Sequence, residues 1–196
     1  SEEDKVQIKY DGNVKYTNLN SLVNREKKNV CISRSAEISI SDENGQEKER
    51  YKVPYGAIIS VKDGYQAKAG DTIASWDPHT RPIISEVEGK VKLSDMEESI
   101  TVRTIQDDLT GLSSTQVLDV SERSSSGKEL VPSVSIIDEK GKEVTLPGGK
   151  HAAVYSLEGN SILGLTNNSK IKVGDVIARI PKESSKTRDI TGGLPR

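Results

Sequence analysis

Phenylalanine is absent from this 196-residue chain, and there is one tryptophan, one methionine and one cysteine. Without large aromatics, burial has to rest on Val, Ile, Leu and six Tyr, which favours thin sandwiches or small barrels. A lone thiol, Cys31, excludes an internal disulfide and a multi-cysteine metal site, so a reduced, cytoplasmic setting is expected. No apolar run approaches the ~20 residues needed to cross a bilayer. The opening Ser1-Glu2-Glu3-Asp4-Lys5 has neither the basic start nor the apolar stretch of a secretory signal, so no membrane association is expected. A dominant charge is also missing. With 28 Lys+Arg against 30 Asp+Glu the formal charge is −2, which lacks the basic excess that neutralises phosphates. Autonomous nucleic-acid binding is therefore not expected.

What the chain does have is repetition. Gly70-Asp71-Thr72-Ile73-Ala74 returns as Gly174-Asp175-Val176-Ile177-Ala178, 104 positions later, with Lys68 matched by Lys172 and Ile58-Ile59 by Ile162-Leu163. Ile40-Ser41-Asp42-Glu43-Asn44-Gly45 resembles Ile136-Ile137-Asp138-Glu139-Lys140-Gly141, 96 positions on, and each copy then reaches a proline, Pro54 and Pro147. Gly12-Asn13-Val14-Lys15-Tyr16 resembles Gly89-Lys90-Val91-Lys92-Leu93, 77 positions on. The order is the same in both halves. Two units are expected, over residues 5–82 and 83–184, followed by a return segment, 185–196. The widening interval places extra residues in the second copy, in the segment Leu109 to Leu130, where Ser124-Ser125-Ser126-Gly127 reads as a flexible loop.

The local patterns are those of strands. Ile38-Ser39-Ile40, Val134-Ser135-Ile136 and Val87 to Leu93 alternate apolar with polar residues, the period of a half-buried strand. Asp-Glu-Asn-Gly and Asp-Glu-Lys-Gly sit between such runs as hairpin turns, with Gly45 and Gly141 free to take positive φ. No helical periodicity is sustained; Asn18 to Val23 allows one short helical turn. The fold class is all-β, with little helix.

Chemistry-bearing residues do not converge. In Gly-Asp-x-Ile-Ala the glycine turns the chain and the aspartate accepts turn amides, so Asp71 and Asp175 read as turn carboxylates. His79, after Asp77-Pro78, reads as a loop histidine. His151 follows Gly148-Gly149-Lys150, which is no phosphate loop, because the glycine required five residues before Gly149 is Val144. Asp107-Asp108 lacks the surrounding spacing of a calcium loop and reads as solvated charge. Asn167-Asn168-Ser169 reads as a turn rather than a glycosylation site. Cys31 between Val30 and Ile32 reads as a small core residue, and Trp76 as an anchor of the first core. The expected catalytic, cofactor-binding and metal residues are therefore none.

Four strings resemble one family. Tyr51-Lys52-Val53-Pro54-Tyr55-Gly56, Trp76-Asp77-Pro78-His79-Thr80, Asp108-Leu109-Thr110-Gly111-Leu112-Ser113-Ser114 and Asp189-Ile190-Thr191-Gly192-Gly193-Leu194-Pro195-Arg196 look like the beta prime subunit of proteobacterial DNA-directed RNA polymerase, in family order. The resemblance implies a lineage-specific insertion in the trigger loop, built from two tandem sandwich-barrel hybrid motifs. It also implies a part of a nucleotidyltransferase that is not itself catalytic. The family's magnesium-holding string Asn-Ala-Asp-Phe-Asp-Gly-Asp does not occur here, and each of its zinc sites needs four cysteines. Magnesium and zinc are thus implied for the full subunit and bound elsewhere. The nucleotide-contacting arm should precede Ser1, and Ile190 to Arg196 resembles the start of the second arm. Implied partners are the rest of the polymerase (the beta prime jaw and rim, beta, alpha, omega and sigma) and secondary-channel factors, with downstream DNA nearby. The implied role is to modulate trigger-loop movement, elongation, pausing and transcript cleavage. Two alternatives stand beside it: a biotinyl- or lipoyl-like carrier domain with Lys90 as the modified lysine, and a generic β interaction module.

Overall fold

The computed structural model describes residues 4–182, so the return segment 185–196, with its string Asp189 to Arg196, lies outside the described residues. The chain divides into two compact units between Pro78 and His79. In the first, the strands are β1 (Lys5–Gln7), β2 (Gly12–Thr17), β3 (Ser21–Val23), β4 (Asn29–Cys31) and β5 (Ala36–Ser41). They are followed by β6 (Glu47–Val53), β7 (Ile58–Ile59), β8 (Gln66–Ala67) and β9 (Thr72–Ser75). The second unit runs β10 (Thr80–Ile84), β11 (Gly89–Ser94), β12 (Val102–Gln106), β13 (Ser113–Val117) and β14 (Ser133–Ile137). It ends with β15 (Val154–Ser156), β16 (Ile162–Leu163), β17 (Lys170–Ile171) and β18 (Val176–Pro181). The only helical elements among the described residues are two single 3-10 turns, Val120–Glu122 and Ser125–Gly127. The protein is all-β.

Each unit folds two antiparallel sheets onto one core. The first unit's sheets have the strand orders β1-β9-β7-β4-β3 and β6-β5-β2-β8; the second's are β10-β18-β16-β13-β12 and β15-β14-β11-β17. Adding nine to every strand number of the first unit reproduces the second. Residues 80–82 accordingly pair with Arg179–Pro181 inside the second unit rather than closing the first. The first core takes Val6, Cys31, Ile59 and Ile73 from one sheet and Val14, Ile38, Ile40 and Val53 from the other. The second takes Val102, Val117, Leu163 and Ile177 against Val91, Val134, Ile136 and Ile171. Burying one such aliphatic side chain contributes about 1.5–3 kcal/mol, so two compact cores can form without phenylalanine.

The repeated motifs hold equivalent positions down to single hydrogen bonds. The Gly70 and Gly174 amides donate to Ile8 O and Ser85 O, both at 2.8 Å, with φ of +97° and +89° that a side chain would strain. Asp71 and Asp175 turn back to accept the Lys68 and Lys172 amides at 3.0 and 2.8 Å, the role read for them in the sequence. Asp42 and Asp138 close the two Asp-Glu-x-Gly turns, each accepting two amides at 2.9 Å through Oδ1. Gly12 and Gly89 are required for space. A Cβ on Gly12 would meet Ser41 O at 2.5 Å and Ile40 Cγ2 at 2.7 Å; on Gly89 it would meet Ile137 O at 2.6 Å and Ile136 Cγ2 at 2.8 Å.

Two local expectations fail. Asn18 to Val23 forms no helical turn: Asn18 takes φ of +56°, and Ser21–Val23 is a strand held against β4. Pro147 is not the counterpart of Pro54. That place belongs to Glu158, whose carbonyl accepts the Ser161 amide as Pro54 O accepts that of Ala57.

Candidate interaction surface

With a shared framework, residues that only one unit possesses are where a role beyond folding is sought. Equivalent positions stand 77 apart at Gly12 and Gly89, 81 at Ser21 and Val102, and 86 at Cys31 and Val117. The interval reaches 96 at Ile38 and Val134 and 104 at Ile59 and Leu163. The second unit therefore carries four additions: four residues before β12, five in the β12–β13 hairpin, ten before β14 and eight before β15. The second and third lie in the expected segment Leu109 to Leu130. The first and fourth do not.

The first and third additions lock together. Thr101 is fully buried, donating to Asp95 O at 2.6 Å and accepting the Glu97 amide at 2.8 Å, and Asp95 accepts the Val131 amide at 3.0 Å. Arg123, 7% exposed, satisfies its guanidinium on three carbonyls, Leu118 O at 3.1 Å, Gly127 O at 3.2 Å and Leu130 O at 3.1 Å. Such charge-assisted bonds offset the cost of burying the cation. The hydroxyl and amide of Ser121 hold the Asp119 carboxyl below the usual range, which suits its cap on the first 3-10 turn. The Ser124 to Gly127 stretch is consequently an ordered turn, its serines exposed and Gly127 set against Ile100. The fourth addition is a hairpin closed by the Leu146 amide on His151 O at 2.7 Å, with Pro147 near its tip.

The second addition carries the two most exposed large apolar side chains among the described residues. Leu109 is 96% exposed and Leu112 69%, beside exposed Asp107 and Asp108. The tip between β12 and β13 is nevertheless ordered by its own bonds. Asp107 O accepts the Gly111 amide at 2.8 Å, the Asp107 amide donates to Leu112 O at 2.9 Å, and Asp107 Oδ1 accepts the Leu109 amide at 2.8 Å.

Other candidate residues are dispersed. Cys31 is fully buried and donates through Sγ to Ser33 O at 3.4 Å, and Trp76 packs against the first core. His79 and His151 are both exposed in the second unit, His79 O accepting the Lys182 amide. Asn168 takes φ of +71° in the turn before β17. Lys90 lies inside β11, paired with Ile137 on one side and Lys170 on the other, and its ammonium is 3.0 Å from Glu139. A carrier lysine needs an exposed hairpin tip, so that reading is not favoured. Among the described residues no three His, Cys, Asp or Glu side chains cluster to hold a metal, and no helix is long and apolar enough to cross a membrane.

Two clefts open among the described residues, one in each unit. In the first unit, Tyr16, Asn18, Leu19, Asn20, Ser33 and Asp63 line a polar cleft of about 640 Å³. Burial, and secondarily the Asp63 charge, push the Tyr16 phenol up to about 12. In the second unit an apolar groove of about 380 Å³ runs past Leu163, Leu165, Val176 and Ala178. It forms where β16 meets β18 at Ile162 and Arg179, whereas β7 and β9 pair at two positions.

Sequence reasoning missed Glu49. This buried carboxylate accepts the Lys9 amide at 3.0 Å and the Tyr10 amide at 2.8 Å, and the Tyr51 hydroxyl donates to it. The strand alternation was the available signal, since Glu49 shares the inward parity of Tyr51 and Val53.

No protein-family model matches the chain. Among curated proteins it is 53% identical over 196 residues to "DNA-directed RNA polymerase subunit beta'" of Shewanella amazonensis, covering 100% of this chain and 14% of the relative. The subunit of the same name from Methylococcus capsulatus is 51% identical over 191 residues, 97% of this chain and 14% of the relative. That of Saccharophagus degradans is 49% identical over 196 residues, again 100% and 14%. The chain thus spans 14% of the length of these relatives. Over its full length it matches a segment of the bacterial DNA-directed RNA polymerase subunit beta'.

Proposed function

We propose that this chain is a non-catalytic, trigger-loop-inserted module of an RNA polymerase beta' subunit, which biases the movement of that loop during elongation, pausing and transcript cleavage. The full-length match at about half identity carries the reading. Two self-contained cores fit a module hung on a mobile loop, and the turn role of Asp71 and Asp175 and the burial of Cys31 fit a role without chemistry of its own. The whole enzyme would transcribe DNA into RNA from ribonucleoside triphosphates in the cytoplasm. Other polymerase subunits and secondary-channel factors would be the partners.

Mechanism follows from linkage. A domain attached to a loop that folds at each nucleotide addition shifts the open–closed equilibrium only by the difference in contact energy between the two states. Every ~1.4 kcal/mol of difference changes the populations tenfold, and couplings of about 1–3 kcal/mol are typical between linked sites. The test is removal of the segment from its polymerase with the loop arms rejoined, followed by measurement of single-nucleotide addition rates and pause lifetimes. Altered rates with retained phosphodiester synthesis are expected. Loss of all synthesis in a correctly assembled enzyme, or no rate change at all, would overturn the reading, as would ribonucleotide incorporation by the isolated chain.

A further inference from the structure

We propose that the β12–β13 tip, Asp107 to Leu112, is a docking finger whose two leucines enter an apolar pocket rimmed by Lys or Arg on another protein surface. The inference takes the polymerase setting from the proposed function and adds which element makes contact and with what chemistry.

Three observations carry it. First, the tip is an addition: its hairpin is five residues longer than the β3–β4 hairpin that holds the same place in the first unit. The framework does not need it. Second, Leu109 and Leu112 are 96% and 69% exposed, the largest exposures among the large apolar residues described, and they lie on one short turn. Apolar side chains held in water on a hairpin tip invite association. Third, the turn is preorganised. The Asp107 amide, carbonyl and carboxylate each make a bond across it, the Leu112 amide donates to Thr110 Oγ1 at 3.2 Å, and Gly111 supplies φ of +76°. A turn already held in one shape loses little freedom on docking, so more of the contact energy appears as affinity.

Charge then selects the occupant. Exposed Asp107 and Asp108 precede the leucines; Asp107 Oδ1 is held in the turn by the Leu109 and Thr110 amides, so Asp108 is the freer of the two carboxylates to turn toward a partner's cation. Phosphates of a nucleic acid or an anionic lipid surface would be repelled. A symmetric contact with a second copy would set these carboxylates against their own images, a like-charge juxtaposition that interfaces avoid. A different protein surface with a cationic rim meets both demands.

The test uses the assembled polymerase with a photo-crosslinking p-benzoylphenylalanine in place of Leu109, and in a control in place of Tyr10, an exposed residue of the first unit. A Leu109-position crosslink to one protein site containing Lys or Arg is expected, weaker from the Tyr10 position and reduced about tenfold by Asp108→Arg. Unchanged melting of the isolated Asp108→Arg chain shows that the loss comes from the contact rather than from folding. Crosslinks that go to nucleic acid or to the same tip of another polymerase, that match the Tyr10 yield, or that ignore Asp108→Arg would overturn the finger. A segment deletion that alters pausing while the crosslink fails removes the finger and leaves the module; a sound crosslink without any deletion effect does the reverse.

Discussion

The first unit connects its nine strands with short turns, whereas the second keeps the same nine strands, sheet orders and Gly-Asp turns and inserts residues at four places. The framework is thus fixed by a few positions that both units share, and the connections are free to grow. The comparison also shows one backbone problem solved twice. The Lys9 amide, just past the end of β1, is received by Glu49. Its counterpart, the Glu86 amide, is received by the Tyr155 hydroxyl at 3.3 Å, because Ala153 stands where Glu49 would be. Tyr51 and Tyr155 hold the same place, one serving the carboxylate and the other replacing it.

Gly12 and Gly89 should break both units alike. Gly12→Val or Gly89→Val forces a side chain onto the neighbouring strand's carbonyl, and each is expected to lower stability by about 3 kcal/mol. Trp76 fluorescence follows the first unit during urea unfolding, and amide exchange at Val91 follows the second. A loss below 1 kcal/mol at either glycine would contradict the shared close approach. Arg123 comes next and should affect only the second unit. Arg123→Ala leaves the Leu118 and Leu130 carbonyls without this donor and Gly127 O with only the long bond from the Leu130 amide, an expected loss of about 2–3 kcal/mol seen in exchange of residues 118–131.

Smaller effects sharpen the Glu49 contrast. Glu49→Gln keeps the shape but removes the charge, with about 1–2 kcal/mol of loss expected in the Trp76 transition, against about 1 kcal/mol for Tyr155→Phe in the second unit. The last contrast concerns alkaline pH. Since the folded Tyr16 phenol is raised to about 12 from an ordinary value of 10, its contribution is complete below about pH 10 and is lost as pH rises through about 12. Tyr16→Phe should flatten that part of the alkaline stability decline, as measured by urea midpoints from pH 9 to 12.

Much of this frame was legible because it lies in local patterns. The Gly-Asp and Asp-Glu-x-Gly turns carry their own hydrogen-bond chemistry, and the 77, 96 and 104 intervals between the three repeated strings are the intervals of β2 and β11, β5 and β14, and β9 and β18. The additions were only half legible, since an interval says how many residues are extra between two markers and not where they sit. Pro147 misled for that reason: eight inserted residues carry it onto a hairpin tip. Arg123 gave no signal, because its carbonyl partners are set by the fold of a serine-rich segment, and the exposure of Leu109 and Leu112 depends on a hairpin length that composition does not reveal.

The second unit is the first unit's nine-strand frame with four additions. Residue-resolved amide hydrogen exchange on the isolated chain tests it directly. Protection is expected at Val14 and Val91, Cys31 and Val117, and Gly70 and Gly174 in matched pairs, with rapid exchange at the added Asp108. Protection of one member of each pair without the other would contradict it.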